Sequence, residues 1–330
     1  MPSNRTAGLA GVLDRRPVAA FIALAFALSW GFWIPTFLAV SPGRVGKLVL
    51  APGAFGPPVA AAVVAYGRGE FADWFQGVRR LRAPPRWYVA ALAAPLALGA
   101  GVVAAAGASG AALTLDRLAR VAPVLPASLL LTALLGGGQE ELGWRGFALP
   151  HLQSRFGALS ASVLLGAVWA LWHLPLFVLE SGLYADRSFL LYGPAVVCLS
   201  VLLTWAYNGS GGSVPVAVLL HGGVNAVQGV AFAGVALDTL PVPPTAPFLA
   251  ASFAAALLVL ARFGPRTLAP TDAVRAADAV AGADADVTSG ADADVTSGAD
   301  ADVTSDVDAD SPAAEADSDV DVGDSREVAT

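Results

Sequence analysis

The apolar residues of this chain come in long unbroken runs separated by short polar stretches. Eight runs stand out, at approximately 17–40, 48–67, 87–107, 122–139, 158–180, 188–207, 213–235 and 245–263. About 20 helical residues cross the hydrocarbon core of a bilayer, and each run has roughly that length. Within the core, backbone N–H and C=O groups must be satisfied inside the segment itself, which selects the helix. The pattern predicts an all-α fold, a polytopic transmembrane helical bundle of about eight spans. The fourth run is expected to continue as helix past its polar end, towards Leu149. The first run follows Arg15 and Arg16, carries Trp30 and Trp33, and is longer than a secretory signal core, so it is expected to be a retained helix.

Composition supports this picture. Hydrophobic residues make up 56% of the 330 and charged residues 14%, against about 25% charged in an ordinary soluble domain. The bilayer is the expected partner, and no nucleic-acid partner is expected. The net charge of −7 conceals two opposite parts. Residues 1–265 hold 16 basic and 9 acidic side chains, whereas 266–330 hold 3 and 17. The chain is therefore divided into a multi-pass membrane domain, 1–265, and an Asp-rich tail, 266–330. In the tail the octapeptide GADADVTS recurs from Gly282, Gly290 and Gly298, and aromatic residues are absent. Such a segment buries too little apolar surface to offset the entropy of ordering, so disorder is expected there. The single cysteine, Cys198, rules out an intrachain disulfide.

Basic residues set the expected orientation. They gather before the first run, in the second connection (Arg68, Arg79, Arg80, Arg82, Arg86), in the fourth (Arg145, Arg155) and after the last run (Arg262, Arg266). The intervening connections hold fewer, so both termini are expected in the cytoplasm of a protein of the cell membrane. The stretch Glu70 to Trp87 mixes aromatics with arginines and reads either as an interfacial segment or as a charged loop that anchors topology. Trp87 and Tyr88 at one span end, and Trp205 and Tyr207 at another, are expected at headgroup level.

Ionisable groups inside a bilayer are costly and mark function by default. Glu140 and Glu141 sit together in GGGQEELGWRGF, and His173 and His221 lie within predicted spans, while His151 falls in a polar connection. Glu141 and Arg145 are four apart, with the acid first, and so share a helix face as a structural pair. Glu140 lies about 100° away on the helix and is free to face a polar cavity. Trp169 and His173, and His221 and Asn225, are also four apart. Depth presents a tension. Glu140 lies in the cytoplasmic half of the fourth run and His221 roughly 12 Å into the seventh, whereas His173, roughly 22 Å from the start of the fifth, lies deeper than both unless that run begins above the membrane plane. Gly222 and Gly223 suggest close approach of the seventh helix to a neighbour, and Gly136 to Gly138 suggest either that or a loosened fourth helix.

Glu-Glu-x-x-x-Arg, aromatic-x-x-x-His and His-x-x-x-Asn, each on its own helix, together resemble the signature of the CPBP family. This family contains type II CAAX prenyl endopeptidases and the bacterial immunity proteins called Abi, with lysostaphin-resistance-like members. The motifs stand here as Glu140 to Arg145, Trp169 to His173 and His221 to Asn225, and the likeness covers about 120–235. Trp169 stands where the family usually has Phe, and the acidic tail is outside the family pattern.

The resemblance implies an intramembrane endopeptidase that cuts near the C-terminus of a membrane-anchored peptide or protein. It implies Glu140 as general base on a water, His173 positioning that water, and His221 and Asn225 stabilising the oxyanion. Glu141, Arg145 and Trp169 are expected to support these groups. No cofactor is required on that route. Glu140, His173 and His221 could instead hold zinc with one open position, although no H-E-x-x-H helix is present. Two other functions compete. A non-catalytic immunity or regulatory protein could retain the fold, but the intact acid and histidines favour a hydrolase. A proton-coupled transporter usually shows two matching halves, and the body contains no internal repeat.

Overall fold

The computed structural model describes residues 9–39, 47–179, 184 and 187–270. The acidic tail expected to be disordered therefore lies, from residue 271 on, outside the described residues. Among the described residues the chain is helical, with an isolated β-bridge between Leu113 and Val235 and no named strand. Among the described residues eight helical segments are long and apolar enough to cross a membrane, as the run lengths predict.

The helices that organise the bundle are α1 (Pro17–Ala39), α2 (Gly56–Arg68), α3 (Phe71–Val78), α4 (Pro85–Ala108), α5 (Leu125–Leu134), α6 (Leu149–Gln153), α7 (Ala158–Trp172), α8 (Phe189–Gly209), α9 (Val214–Ala233) and α10 (Thr245–Phe263). Several open on proline in the first turn, where a missing N–H costs nothing and the fixed φ suits the helix. Helix α9 is central and packs against α4, α5 and α8. Helix α8 packs on α7 and α10, α10 on α4, and α1 on α2. Leu96, Leu130, Leu190 and Leu258 stay exposed on the outer faces, which suits contact with acyl chains.

Lipid and core are equally apolar, so helix association depends on close packing of small residues. A Cβ at Gly222 would lie 2.7 Å from the Ala133 backbone, and the Thr132 hydroxyl donates to the Gly222 carbonyl at 2.7 Å. These contacts draw α5 and α9 together, the close approach that the Gly222–Gly223 pair suggests.

The fourth span differs from expectation. It does not continue as one helix towards Leu149. Helix α5 stops at Leu134, a 3-10 turn covers Gly138–Glu140, one α-turn covers Glu141–Gly143, and a π-turn covers Trp144–Ala148 before α6. The backbone leaves the helix at Leu135, and the break is completed at Gly137, held at φ +127°, which side-chain-bearing residues rarely adopt. With the break, the whole span runs Leu115–Gln153, and Glu140 falls inside it rather than near its end. Glu140 and His173 then lie at comparable distances, roughly 20 Å at 1.5 Å per residue, from the turn that joins α6 to α7. The depth difference expected between Glu140 and His173 is thereby removed.

Two interfacial expectations are refined. Helix α3 leaves Phe71 and Phe75 exposed with Arg79 over the Phe75 ring, while the Trp74 indole donates to the Leu142 carbonyl at 3.1 Å. The aromatic part of the segment thus forms a short helix tied to the broken span, and Arg79, Arg80, Arg82 and Arg86 follow it. Trp87, in contrast, is buried against Trp205 at 5.0 Å and beside Gly209, so it packs inside the bundle. At the end of α2, Arg68 forms an ion pair with Glu70 and donates to the Leu13 carbonyl at 2.9 Å. Its hydrogen bond holds the Glu70 carboxyl below the usual carboxylate range. The packed body also passes Pro265. The Arg266 carbonyl accepts from the Ala158 N–H at 2.9 Å, Asn208 donates to the Thr267 carbonyl at 2.7 Å, and Leu268 is fully buried.

Candidate active site

Glu140, His173, His221 and Asn225 come from three separate segments and line one cavity in the middle of the bundle. Trp169, Tyr184, Arg187, Tyr192 and Gln228 line it as well. The broken fourth span positions the acid. A continuous helix would keep the backbone of residues 136–140 in its own ladder, whereas the break releases it for contacts with α9. The Gly136 carbonyl accepts from Asn225 Nδ2 at 2.7 Å, and the Gly137 N–H donates to Gln139 Oε1 at 2.9 Å. A Cβ on Gly137 would lie 2.4 Å from Asn225 Nδ2 and 2.8 Å from His221 Nε2. Only glycine leaves room at that point.

Glu140 is buried, and its Oε2 accepts the Trp169 indole N–H at 2.9 Å, leaving Oε1 without that donor. The Trp169 ring also stands 5.7 Å from the His173 ring and 5.0 Å from the His221 ring. Sequence reasoning gave Trp169 a packing role beside His173. The structure adds a hydrogen bond to the acid and places the indole between the two imidazoles.

Glu141 and Arg145 form the expected pair, at 3.0 Å with both side chains fully buried. Arg145 further donates to the Ser200 hydroxyl at 2.8 Å, and that hydroxyl donates to the Ser162 carbonyl at 2.9 Å. The other Glu141 oxygen meets His221 Nδ1 at 2.7 Å. One buried polar network therefore joins the broken span to α7, α8 and α9, and it orients His221. The spacing of the acid and its arginine reveals the pair, but the link to a histidine 80 positions away leaves no trace in the sequence.

Both imidazoles have their Nδ1 engaged by acceptors. His173 Nδ1 meets the Trp169 carbonyl at 2.8 Å, which can only accept, so Nδ1 carries the proton and neutral His173 presents a lone pair at Nε2. His221 Nδ1 faces a carboxylate, so its Nε2 donates only when the ring is doubly protonated, with Glu141 as counter-ion. Asn225 has a second amide N–H beyond the one given to Gly136. His151, expected in a polar connection, is half-buried, with Nδ1 on the Phe147 carbonyl at 2.8 Å and its ring on Phe147 at 4.5 Å, away from the cavity.

Sequence reasoning missed the opposite wall. Tyr184 and Tyr192 pack with centroids 5.5 Å apart, and the Arg187 guanidinium lies over the Tyr184 ring at 4.9 Å. Burial pushes the Tyr184 phenol above its usual range, with Arg187 acting the other way. The signal available was Arg187 itself, the lone basic residue of its connection. As for zinc, no three His, Cys, Asp or Glu side chains among the described residues are grouped so as to hold one ion. The donor set in this arrangement does not fit the metal site drawn from Glu140, His173 and His221.

The arrangement, a buried carboxylate, a lone-pair imidazole and an amide donor around one cavity, can support acid–base chemistry on a bound water. Comparison with known proteins points the same way. Residues 122–227, which carry all three motifs, match the family described as type II CAAX prenyl endopeptidase Rce1-like. The chain is also similar to CAAX prenyl protease 2 of Methanococcus maripaludis, with 31% identity over 109 residues. That alignment takes in 30% of this chain and 39% of the relative's length. Both comparisons support the CPBP resemblance, and the family match spans the segment that carries the three motifs.

Proposed function

We propose that the protein is an intramembrane endopeptidase that hydrolyses a peptide bond near the C-terminus of a membrane-anchored, CAAX-type or similar, protein or peptide. The observation that carries this reading is the convergence of Glu140, His173, His221 and Asn225 on one cavity, within the segment that matches the endopeptidase family. In the proposed reaction a water sits between Glu140 and His173 Nε2. Glu140 takes a proton from that water as its oxygen bonds to the scissile carbonyl carbon. The carbonyl oxygen becomes an oxyanion that accepts from Asn225 Nδ2 and from His221 Nε2, and such donors in a dry site are worth several kcal/mol. The C–N bond then breaks, and the leaving amine takes the proton back from Glu140. The route needs no metal. Both termini are placed in the cytoplasm of a cell-membrane protein on the basis of the arginine distribution.

The test uses purified protein in detergent or liposomes with a panel of prenylated and otherwise anchored peptides. Glu140→Gln should lower cleavage by about 10²-fold or more, the usual contribution of a positioned base, and His221→Ala should also lower it. Unchanged cleavage in Glu140→Gln removes the mechanism. Cleavage by neither the wild type nor any variant favours the non-catalytic reading. Loss of activity in a chelator titration, restored by zinc, would bring back the metal route.

A further inference from the structure

The connection between α2 and α4 joins the ends of two spans, Val49–Arg68 and Pro85–Ala108, so it lies at one surface of the bundle. Its backbone is held in place. The Trp74 indole donates to the Leu142 carbonyl at 3.1 Å. The Ser213 hydroxyl, at the start of α9, donates to the Arg80 carbonyl at 3.2 Å, and the Tyr88 hydroxyl, near the start of α4, donates to the Leu81 carbonyl at 2.6 Å. Two span ends and the broken span thus fix the run that carries Arg79, Arg80 and Arg82, whereas those three side chains are exposed. A loop that only anchored topology would need the charges and not this fixation.

Charge and apolar surface together identify what this run meets. Among the described residues Arg79, Arg80 and Arg82 form no ion pair. The acids of the connection do not offset them, because Glu70 is paired with Arg68 and leaves Asp73 alone against three guanidinium groups. Arg79 lies over the Phe75 ring at 4.5 Å, a contact that leaves its in-plane N–H groups for an anion. Phe71, Phe75 and Leu81 are exposed beside the arginines, and the rings of Phe71 and Phe75 stack at 5.8 Å. A soluble anion would use the guanidinium groups and leave the rings in water. An anionic lipid uses both, its phosphate on the arginines and its acyl region on the rings.

The same helix leans on the segment that builds the site. A Cβ at Gly146 would lie 2.8 Å from the Val78 side chain and 3.5 Å from Trp74 Nε1. Helix α3 therefore packs on the π-turn that follows Glu141, the acid that orients His221. We propose that Arg79, Arg80 and Arg82, with Phe71 and Phe75, form a docking surface for an anionic phospholipid, and that lipid seated there steadies the broken span through Trp74 and so raises the activity of the site. The docking surface stands on the contacts of this connection, and the effect on cleavage rests on the endopeptidase reading. Because the arginines are exposed, the preference for anionic lipid weakens as salt rises.

Two measurements separate the surface from the chemistry. In the first, the full chain in neutral detergent is titrated with phosphatidylglycerol or phosphatidylcholine, and bound lipid is counted by native mass spectrometry. The wild type should retain phosphatidylglycerol about ten-fold or more tightly, since each arginine near an anionic surface contributes about five-fold. The triple variant Arg79→Gln/Arg80→Gln/Arg82→Gln should lose most of this preference, and Arg79→Lys/Arg80→Lys/Arg82→Lys should keep most of it. If the wild type binds both lipids alike, if the preference survives the glutamine substitutions, or if glycerol phosphate competes as well as the lipid, the docking surface is overturned. In the second, cleavage of a prenylated peptide is followed in nanodiscs of phosphatidylcholine alone or of an equal mixture with phosphatidylglycerol. The wild type should cleave several-fold faster in the mixture, and the triple glutamine variant should respond to neither composition. Trp74→Phe should still bind phosphatidylglycerol but lose the acceleration, and acceleration that persists in Trp74→Phe overturns the coupling. If no peptide is cleaved in either nanodisc while phosphatidylglycerol still binds through the arginines, the endopeptidase reading fails and the lipid surface stands.

Discussion

At the residue scale, the site depends on side chains that hold other side chains. Arg145 does not line the cavity, yet it neutralises Glu141, and Glu141 in turn fixes His221 at 2.7 Å. Removing one partner of a buried ion pair leaves an uncompensated charge and typically costs about 3–5 kcal/mol. Arg145→Met should therefore lower thermal stability in detergent by that order, followed by tryptophan fluorescence or a thermal-shift assay. The double variant Arg145→Met/Glu141→Gln should lose less than the two singles combined, because both singles break the same network. Trp169 acts on the acid directly through its indole N–H at 2.9 Å. Trp169→Phe keeps an aromatic ring and removes the donor, so kcat should fall about ten-fold, near the worth of one hydrogen bond to a charged group, with KM little changed. A KM effect alone would mean that the ring shapes the cavity and does not position Glu140.

At the element scale, the break in the fourth span is the central feature. Continuous helix would satisfy its own backbone, and non-helical backbone at membrane depth is tolerated where protein or a cavity surrounds it. Here the released Gly136 carbonyl is taken by Asn225, and Gly137 leaves space for both Asn225 and His221. Gly137→Ala should therefore damage the site twice over. Its Cβ would press on Asn225 Nδ2 at 2.4 Å, and its φ of +127° disfavours any side chain. We expect cleavage to fall at least ten-fold, since misplacing reacting groups by about 1 Å can cost 10²-fold. Gly110→Ala provides the control. It also has positive φ, but a Cβ there would meet nothing within 4 Å and the turn lies outside the cavity lining. Equal losses of activity in both variants would mean that general backbone strain, and not crowding of the donors, is responsible.

At the scale of the whole molecule, the cavity of the site continues into a second one, which shares Arg187 with it, and opens towards the connections that carry Arg187 and Leu237. With cytoplasmic termini these connections lie on the opposite face of the membrane. In a Cys198→Ala background, Arg187→Cys should react with a membrane-impermeant maleimide added outside intact cells. Arg79→Cys, in the arginine-rich second connection, should react only after permeabilisation. The reverse pattern would invert the orientation and place the cavity mouth in the cytoplasm.

The sequence by itself determined the number of spans and the residue types of the site. Span length follows from bilayer thickness, and the apolar runs record it locally. The Glu141–Arg145 pair was legible because helical geometry fixes which residues four apart meet. What only the tertiary structure decided is how distant segments face one another: the Glu141–His221 link, the indole on Glu140, and the tyrosine and arginine wall. Those contacts depend on the rotation and depth of each helix, which are set by interhelical packing and not by hydropathy. The glycine run shows the boundary between the two. Its composition allowed either close approach or a break, and the fit of Gly137 against Asn225 and His221 brought both about at once.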